Sequence, residues 1–442
     1  MSKLALLGGK PVMENPNNYD LFKWPIITNE DEEAILDVVR RNAFSGTDVT
    51  LKFQDEFANW LGVKHALAFC NGTVSIAAAL FAAGIGHGDE VICPTKTYWA
   101  TITAALGFGA TPVFCNIDHN LSIDPEDIER CISPKTKALV IVHYLGYPCN
   151  MDRIMEIVKK HNILLIEDVS HAQGGLYKGK KLGTFGHVSA MSLMSMKSFA
   201  AGEMGMLVTD DKKMYERALA YAHYERNNAT NITESEDLKG SYGIALGGVK
   251  GRVNQVSAAM GRVQLKYYDQ RAAEIRKAMN YFWDLLDGLP GLHPIRVNEN
   301  EGTTMGGWYS PHGTYKAEEL GGLSVKRFCE AVRAEGVVYC WEGGNNCLHT
   351  HKLFTDVDLY HVGKPTRIAF SDRDVRELDK ACEASEKIEC FEIPWFKHFD
   401  KERIEQYALC YRKVVENYKD LLEHDNKEKQ GGRWFGLSND EQ

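Results

Sequence analysis

Between residues 65 and 210, short apolar runs alternate with longer segments of helical period. The runs are HALAFC (65–70), EVICP (90–94), TPVFCNI (111–117), ALVIVHY (138–144), ILLIED (163–168), SAMSLM (189–194) and GMLVTD (205–210). Runs that are apolar on both faces suit the strands of a sheet covered by helices. SIAAALFAAG and DRIMEIVKKH supply such helices. The pattern predicts a doubly wound α/β unit with a seven-stranded, mostly parallel sheet. Only residues 195–204 separate the last two strands, too few for a parallel crossover. GMLVTD is therefore expected to run antiparallel to its neighbours.

The helical period continues from about 254 to 287, long enough to bridge into a second domain, and GLPGLHP then punctuates the chain. The remainder mixes helices such as SVKRFCEAVRAEG with short extended pieces. We expect a large domain at 1–270, including an N-terminal arm, and a smaller α+β domain at 271–442. The last stretch, HDNKEKQGGRWFGLSNDEQ, is polar and reads as a loose tail. RNNATNITESEDLKGSYG (226–243) is a polar interruption, either a mobile surface loop or part of a site rim.

Composition narrows the class. The chain has 442 residues, 44% hydrophobic and 25% charged, ordinary for a soluble enzyme. A net charge of -9 argues against a general nucleic-acid binder. No apolar run is long enough to span a bilayer, and MSKLALLGGKPV lacks the core of a signal peptide. Eleven cysteines are scattered singly with no C-x-x-C pair, several of them (Cys70, Cys93, Cys115) inside strand-like runs. These features predict reduced thiols, a cytoplasmic protein, and no metal site, nucleic-acid partner or membrane.

One lysine stands out. SLMSMKSFAAGEMGMLVTDD places Lys197 alone in an uncharged run just after a strand. It is either a surface lysine in a turn or a desolvated amine that bonds a carbonyl. Ligands of open α/β sheets bind beyond the carboxyl ends of the strands, and those ends carry further candidates. Gly72 and Thr73 sit in a turn leading into a helix, where an anion is favoured and an ordinary cap is the alternative. Tyr98 follows the second strand and can stack on a planar ring or simply pack. Asp168 ends the strand ILLIED, where it can bond a protonated ring nitrogen or cap a turn. His171 lies three residues on. Ser192 lies five residues before Lys197 and can meet the same anion as Gly72. Together these groups supply what pyridoxal 5′-phosphate (PLP) needs: an amine, an acid, an aromatic and phosphate donors.

The order of these residues resembles the fold-type I PLP enzymes. More narrowly, it is similar to the DegT/DnrJ family of sugar and cyclitol aminotransferases. The matching segments are LALLGGKPV, FCNGTVSIAAAL, GIGHGDEVICP, GATPVFCNID, LIEDVSHAQGG, KLGTFG, the lysine segment, RVNQVSAAMGRVQL and CLHTHKLF. LALLGGKPV and the NGT turn look most like the scyllo-inosose aminotransferase and aminodihydroxybenzoate synthase branch. The resemblance implies that Lys197 is the Schiff-base lysine and that Asp168 pairs with the pyridine nitrogen. It implies that His171 contacts the ring's oxygen face, that Tyr98 stacks on the ring, and that Gly72, Thr73 and Ser192 hold phosphate. Tyr98 stands where Trp or Phe is commoner in the family. In the family a neighbouring subunit adds an Asn two residues before an Arg; here that position is Lys250, before Gly251 and Arg252.

By the same resemblance, the protein moves an amino group from L-glutamine or L-glutamate to a keto-cyclitol or keto-sugar through a Lys197 aldimine. It is expected to be a homodimer with shared sites. The alternatives are a PLP-dependent sugar dehydratase or aromatising synthase, and a non-catalytic PLP-binding regulator. The dehydratase branch carries His in place of the lysine, which Lys197 argues against. Trp341, Glu342, His349 and His351 are expected near the acceptor pocket, with the two histidines on one face if that stretch is a strand.

Overall fold

The protein was analysed as a computed structural model, which describes residues 3–14, 19–426 and 433–434. The strands are β1 (His65–Phe69), β2 (Glu90–Pro94), β3 (Thr111–Cys115), β4 (Thr136–Val142), β5 (Leu164–Asp168), the two-residue pieces β6 (Leu176–Tyr177) and β7 (Lys180–Lys181), β8 (Val188–Ser192), β9 (Gly205–Thr209), β10 (Leu292–Pro294), β11 (His312–Tyr315) and β12 (Cys390–Glu392). Seven of them form the main sheet in the order β1-β9-β8-β5-β4-β2-β3. β2, β3, β4, β5 and β8 pair in parallel. β9 runs antiparallel to both β1 and β8, as its short connection requires.

Alternation along each strand fills both faces of this sheet. Leu67 and Phe69 point into one core with Ile76 and Leu219. Ala66 and Ala68 point into another with Phe53, Phe57 and Ala258. The helix Gly72–Ala82 starts where the Asn71 side chain accepts from the Val74 N–H at 2.9 Å. The helix Met151–His161 ends on Asn162 in the left-handed region.

The helix Gln255–Leu285, 31 residues long, crosses from one core to another. Its Ala258 packs against Phe53 and Phe57, while Phe282 and Trp283 join a separate core with Phe328, Phe391 and Tyr411. The antiparallel sheet β10-β11-β12 belongs to this second core. So do Leu4, Met13 and Leu21 of the N-terminal arm. The fully buried Glu335 fastens that arm, accepting from Ala5 N–H (2.8 Å), Val12 N–H (3.0 Å) and Lys413 Nζ (2.7 Å).

The 226–243 segment is tied down. The buried Glu216 carboxylate accepts from the backbone of Thr233 (2.8 Å), Glu234 (3.0 Å) and Ser235 (2.8 Å). Burial pushes this carboxyl up, but these hydrogen bonds outweigh it and hold its pKa at about 2. The polar tail falls largely outside the described residues. Its Arg433 and Trp434 are described, and they are docked rather than loose: Arg433 pairs with Asn345 in a parallel bridge. No helix among the described residues is long and apolar enough to cross a membrane.

Candidate active site

The carboxyl ends of β1, β2, β5 and β8 open into one cavity of about 970 Å³, at the upper end of ligand-site sizes. Gly72, Thr73, Tyr98, Asp168, His171, Ser192 and Lys197 all line it. Lys250 does not. It is exposed, with its Nζ 5.7 Å from the centre of the Tyr224 ring. A shallower depression at Lys64, His65 and Lys212 lies by the amino end of β1 and holds none of the predicted residues.

Gly72 and Thr73 occupy the first turn of their helix, where backbone N–H groups have no intrahelical partner. The turn lies hard against the end of β8: a Cβ on Gly72 would fall 2.7 Å from the Cβ of Ser192. Gly205 makes the same approach from β9, where a Cβ would meet the Asn71 carbonyl oxygen at 2.2 Å. Glycine at both positions brings the helix N-terminus and the Ser192 hydroxyl to one spot. That spot suits an anion.

Asp168 is 4% exposed at the end of β5. Its carboxylate accepts from Thr101 Oγ1 (2.9 Å) and from the Ser170 N–H (3.0 Å). No ion pair compensates it among the described residues, so it is available to a cation in the cavity. The Nδ1 of His171 accepts from the Leu145 N–H at 3.2 Å, which leaves the proton on Nε2. Burial, and then the nearby Lys197 and His312, push the His171 pKa well below its usual value, so the ring is neutral.

Lys197 is 9% exposed. Its Nζ has no hydrogen-bond partner among the described residues and lies 4.0 Å from the centre of the Tyr309 ring. Burial lowers its pKa from 10.5 to about 8, against a smaller upward pull from Asp168. The backbone around it is fixed. The Lys197 N–H donates to the Met194 carbonyl (2.8 Å), and the Trp24 indole donates to the Lys197 carbonyl (2.8 Å). Gln173 joins the neighbouring segments: its Nε2 donates to the Ser192 carbonyl (2.6 Å), and its Oε1 accepts from Ser198 Oγ (2.7 Å).

Sequence reasoning missed Tyr309, Thr101 and Gln173. Tyr309 faces Lys197 and packs 4.5 Å from the His171 ring. Trp308 (φ 56) and Ser310 (φ 47) on either side of it are both left-handed, a costly conformation for such residues. Thr101 carried a weak signal, since it opens the helix that follows Tyr98.

Trp341 lines the cavity, as expected. Glu342, His349 and His351 do not. The two histidines lie in and just after a short 3₁₀ turn, Leu348–Thr350, rather than in a strand. His349 bonds Thr95 Oγ1 (2.5 Å) and Glu386 (3.0 Å). His351 caps the next helix through the Leu353 N–H (3.1 Å). Cys115, Asp127 and Cys131 cluster elsewhere, with their ligand-type atoms within 4.8 Å of one another. There Asp127 is already held by Arg130 (2.6 and 2.7 Å) and the Asn116 N–H (2.8 Å).

The cavity's groups fit PLP on three counts. The Gly72–Ser192 junction offers N–H and hydroxyl donors to a phosphate. Asp168 offers an uncompensated buried carboxylate to a protonated ring nitrogen. Lys197 offers an amine whose pKa near 8 keeps a reactive neutral fraction.

Comparison with known proteins identifies the family. The chain is 33% identical over 357 residues to the L-glutamine:2-deoxy-scyllo-inosose aminotransferase of Streptomyces kanamyceticus, covering 76% of this chain and 78% of that protein. It is 35% identical over 271 residues to the GDP-perosamine synthase of Escherichia coli O157:H7, covering 61% of this chain and 72% of that one. Its fold matches the X-ray structure of an aminotransferase from Psychrobacter cryohalolentis with a TM-score of 0.75 and 27% identity, covering 90% of this chain and 99% of that one. The description of the DegT/DnrJ/EryC1/StrS aminotransferase family matches residues 25–367, most of the chain, and the protein is a PLP-dependent aminotransferase of that family.

Proposed function

We propose that the protein transfers an amino group from L-glutamine or L-glutamate to the carbonyl of a keto-cyclitol or keto-sugar, with Lys197 as its central residue. The observation that carries this is the placement of Lys197 Nζ, a buried amine without a hydrogen-bond partner among the described residues, in one cavity with Asp168 and the Gly72–Ser192 junction.

PLP, when bound, supplies an aldehyde that takes up the amino group and a ring that withdraws electrons. The chain's residues do the rest. Gly72, Thr73 and Ser192 hold the phosphate. Asp168 keeps a proton on the ring nitrogen, and Thr101 fixes the orientation of that carboxylate. Tyr98 and neutral His171 confine the ring. Lys197 Nζ binds the cofactor at rest. Once freed by the amino donor, it takes the proton from the donor's α-carbon and later delivers one to the acceptor's carbonyl carbon. Tyr309 packs its ring against the amine and against His171.

The same reading makes the protein a cytoplasmic homodimer. Lys250 and Arg252 would then reach the phosphate of a second copy. The Gly251 carbonyl accepts from the Cys70 N–H (2.7 Å), which fixes the backbone of this segment, and the Lys250 side chain is exposed.

The acceptor class is tested by incubating the PLP-loaded protein with α-amine-¹⁵N donor and either a keto-inositol or a nucleotide-linked keto-sugar. Mass spectrometry should find ¹⁵N on the ring, with every other ring oxygen retained. Loss of an oxygen without nitrogen gain would mean dehydration and would overturn the reading.

A further inference from the structure

The cavity has a second half that the proposed cofactor contacts do not use. It is walled by Ser310, His312, Trp341, Asn345, Glu392 and, from near the end of the chain, Arg433 and Trp434. These last two residues lie well beyond residue 367, where the family match ends.

Their position is fixed by the backbone. The Arg433 N–H donates to the Gly344 carbonyl at 2.8 Å, and the Arg433 carbonyl accepts from the Asn346 N–H at 3.1 Å. The Trp434 ring packs edge-on against His351 at 4.6 Å. The guanidinium is thereby delivered to the cavity wall without being used to hold the segment. Its one hydrogen bond among the described residues is a 3.3 Å contact to the Glu342 carbonyl. No carboxylate pairs with it among the described residues, although Glu203 and Glu392 line the same cavity. It lies 5.8 Å from the centre of Trp341, an indole that is 41% exposed.

A fork of N–H donors with no carboxylate partner among the described residues, at the open end of a substrate cavity, is suited to an oxyanion, which it can bind through two parallel hydrogen bonds. We propose that Arg433 is an anion-binding residue of the substrate site, taking a phosphate or carboxylate group, with Trp434 and Trp341 framing it. The proposal deepens the aminotransferase reading and rests on it. The anion has two possible sources: a phosphate carried by the acceptor, or the carboxylate of the amino donor.

The test uses the full-length, PLP-loaded protein with Arg433→Gln and Arg433→Lys. The anchoring bonds at 433 are made by the backbone, so both variants keep them. Cofactor absorbance and near-ultraviolet circular dichroism report that the fold is intact. Inorganic pyrophosphate binding is measured by calorimetry, and L-glutamate affinity by spectral titration without acceptor. Arg433→Gln should weaken at least one probe by about tenfold or more, the loss expected for a charge-assisted hydrogen bond, and Arg433→Lys should restore part of it. A loss confined to pyrophosphate identifies an acceptor phosphate, and a loss confined to glutamate identifies the donor carboxylate. Wild type and Arg433→Gln within twofold of each other for both probes, including the case where neither binds, would overturn the proposal. A wild type that binds pyrophosphate through Arg433 but shows no spectral response to glutamate or glutamine would refute these two as amino donors and leave the anion site standing.

Discussion

The Nζ of Lys197 rests 4.0 Å from the centre of the Tyr309 ring, with no carboxylate among the described residues bonded to it. A ring face attracts a cation but solvates it less than water does. Burial of the amine lowers its pKa from 10.5 to about 8. This has a stability consequence. The unfolded chain holds the proton up to about 10.5, while the folded protein releases it near 8. Between those values the unfolded state binds more protons, so stability rises with pH. Apo wild type should therefore gain stability relative to Lys197→Met as pH climbs from 8 to 10.5, with a constant difference below 8. Melting curves of the two proteins across that range check this. A difference that does not change with pH would contradict it.

The junction of Gly72 with Ser192 leaves no room for a side chain. Gly72→Ala would force the helix N-terminus away from β8, at about 1–3 kcal/mol if the strain is of ordinary overpacking size. PLP affinity should drop about ten- to a hundredfold. Titration of the apo protein with PLP measures it, and unchanged affinity would remove Gly72 from the phosphate site.

Asp168 is oriented by Thr101 and the Ser170 N–H and has no ion-pair partner among the described residues. Asp168→Asn keeps the shape and loses the charge. Turnover should fall about 10²–10³-fold, the size of a lost preorganised electrostatic contact. Thr101→Val should give a smaller loss in the same step. Steady-state and single-turnover rates with glutamate separate the two. Wild-type rates in Asp168→Asn would exclude it from the chemistry.

Glu216 organises the 226–243 segment through three backbone N–H groups. Glu216→Ala leaves those donors without their acceptor, at about 1–3 kcal/mol. Hydrogen exchange at Thr233, Glu234 and Ser235 should speed up while the main sheet stays protected. In the wild type the same loss should appear as pH falls from about 4.5 towards 2, because a lowered carboxyl pKa gives stability that acid removes. Unaltered exchange in the variant would contradict the tie.

Much of the sheet was legible because a buried parallel strand needs apolar residues on both faces, and the seven runs carry that mark. The antiparallel β9 was legible from connection length alone. Gly72, Asp168, Ser192 and Lys197 were legible because each lies at or just past the end of such a run. Tyr309 was not, since it sits in an irregular segment whose two left-handed neighbours include no glycine or asparagine to announce them. Arg433 was hidden differently. It lies in a polar stretch with no period, and its place at the cavity comes from a single bridge to Asn345. His349 and His351 invited a strand reading that the 3₁₀ turn overrides, because His349 is drawn inward by Thr95 and Glu386.

The most direct test of the account is the absorbance spectrum of the PLP-loaded protein before and after L-glutamine or L-glutamate, without acceptor, beside Lys197→Ala. In the wild type the band of the lysine-bound cofactor should disappear and the pyridoxamine band should grow. In Lys197→Ala the lysine-bound band should be absent and turnover should fall by roughly 10⁴-fold or more. A folded wild type with no PLP band, or a Lys197→Ala variant that transaminates at a rate near that of the wild type, would contradict the account.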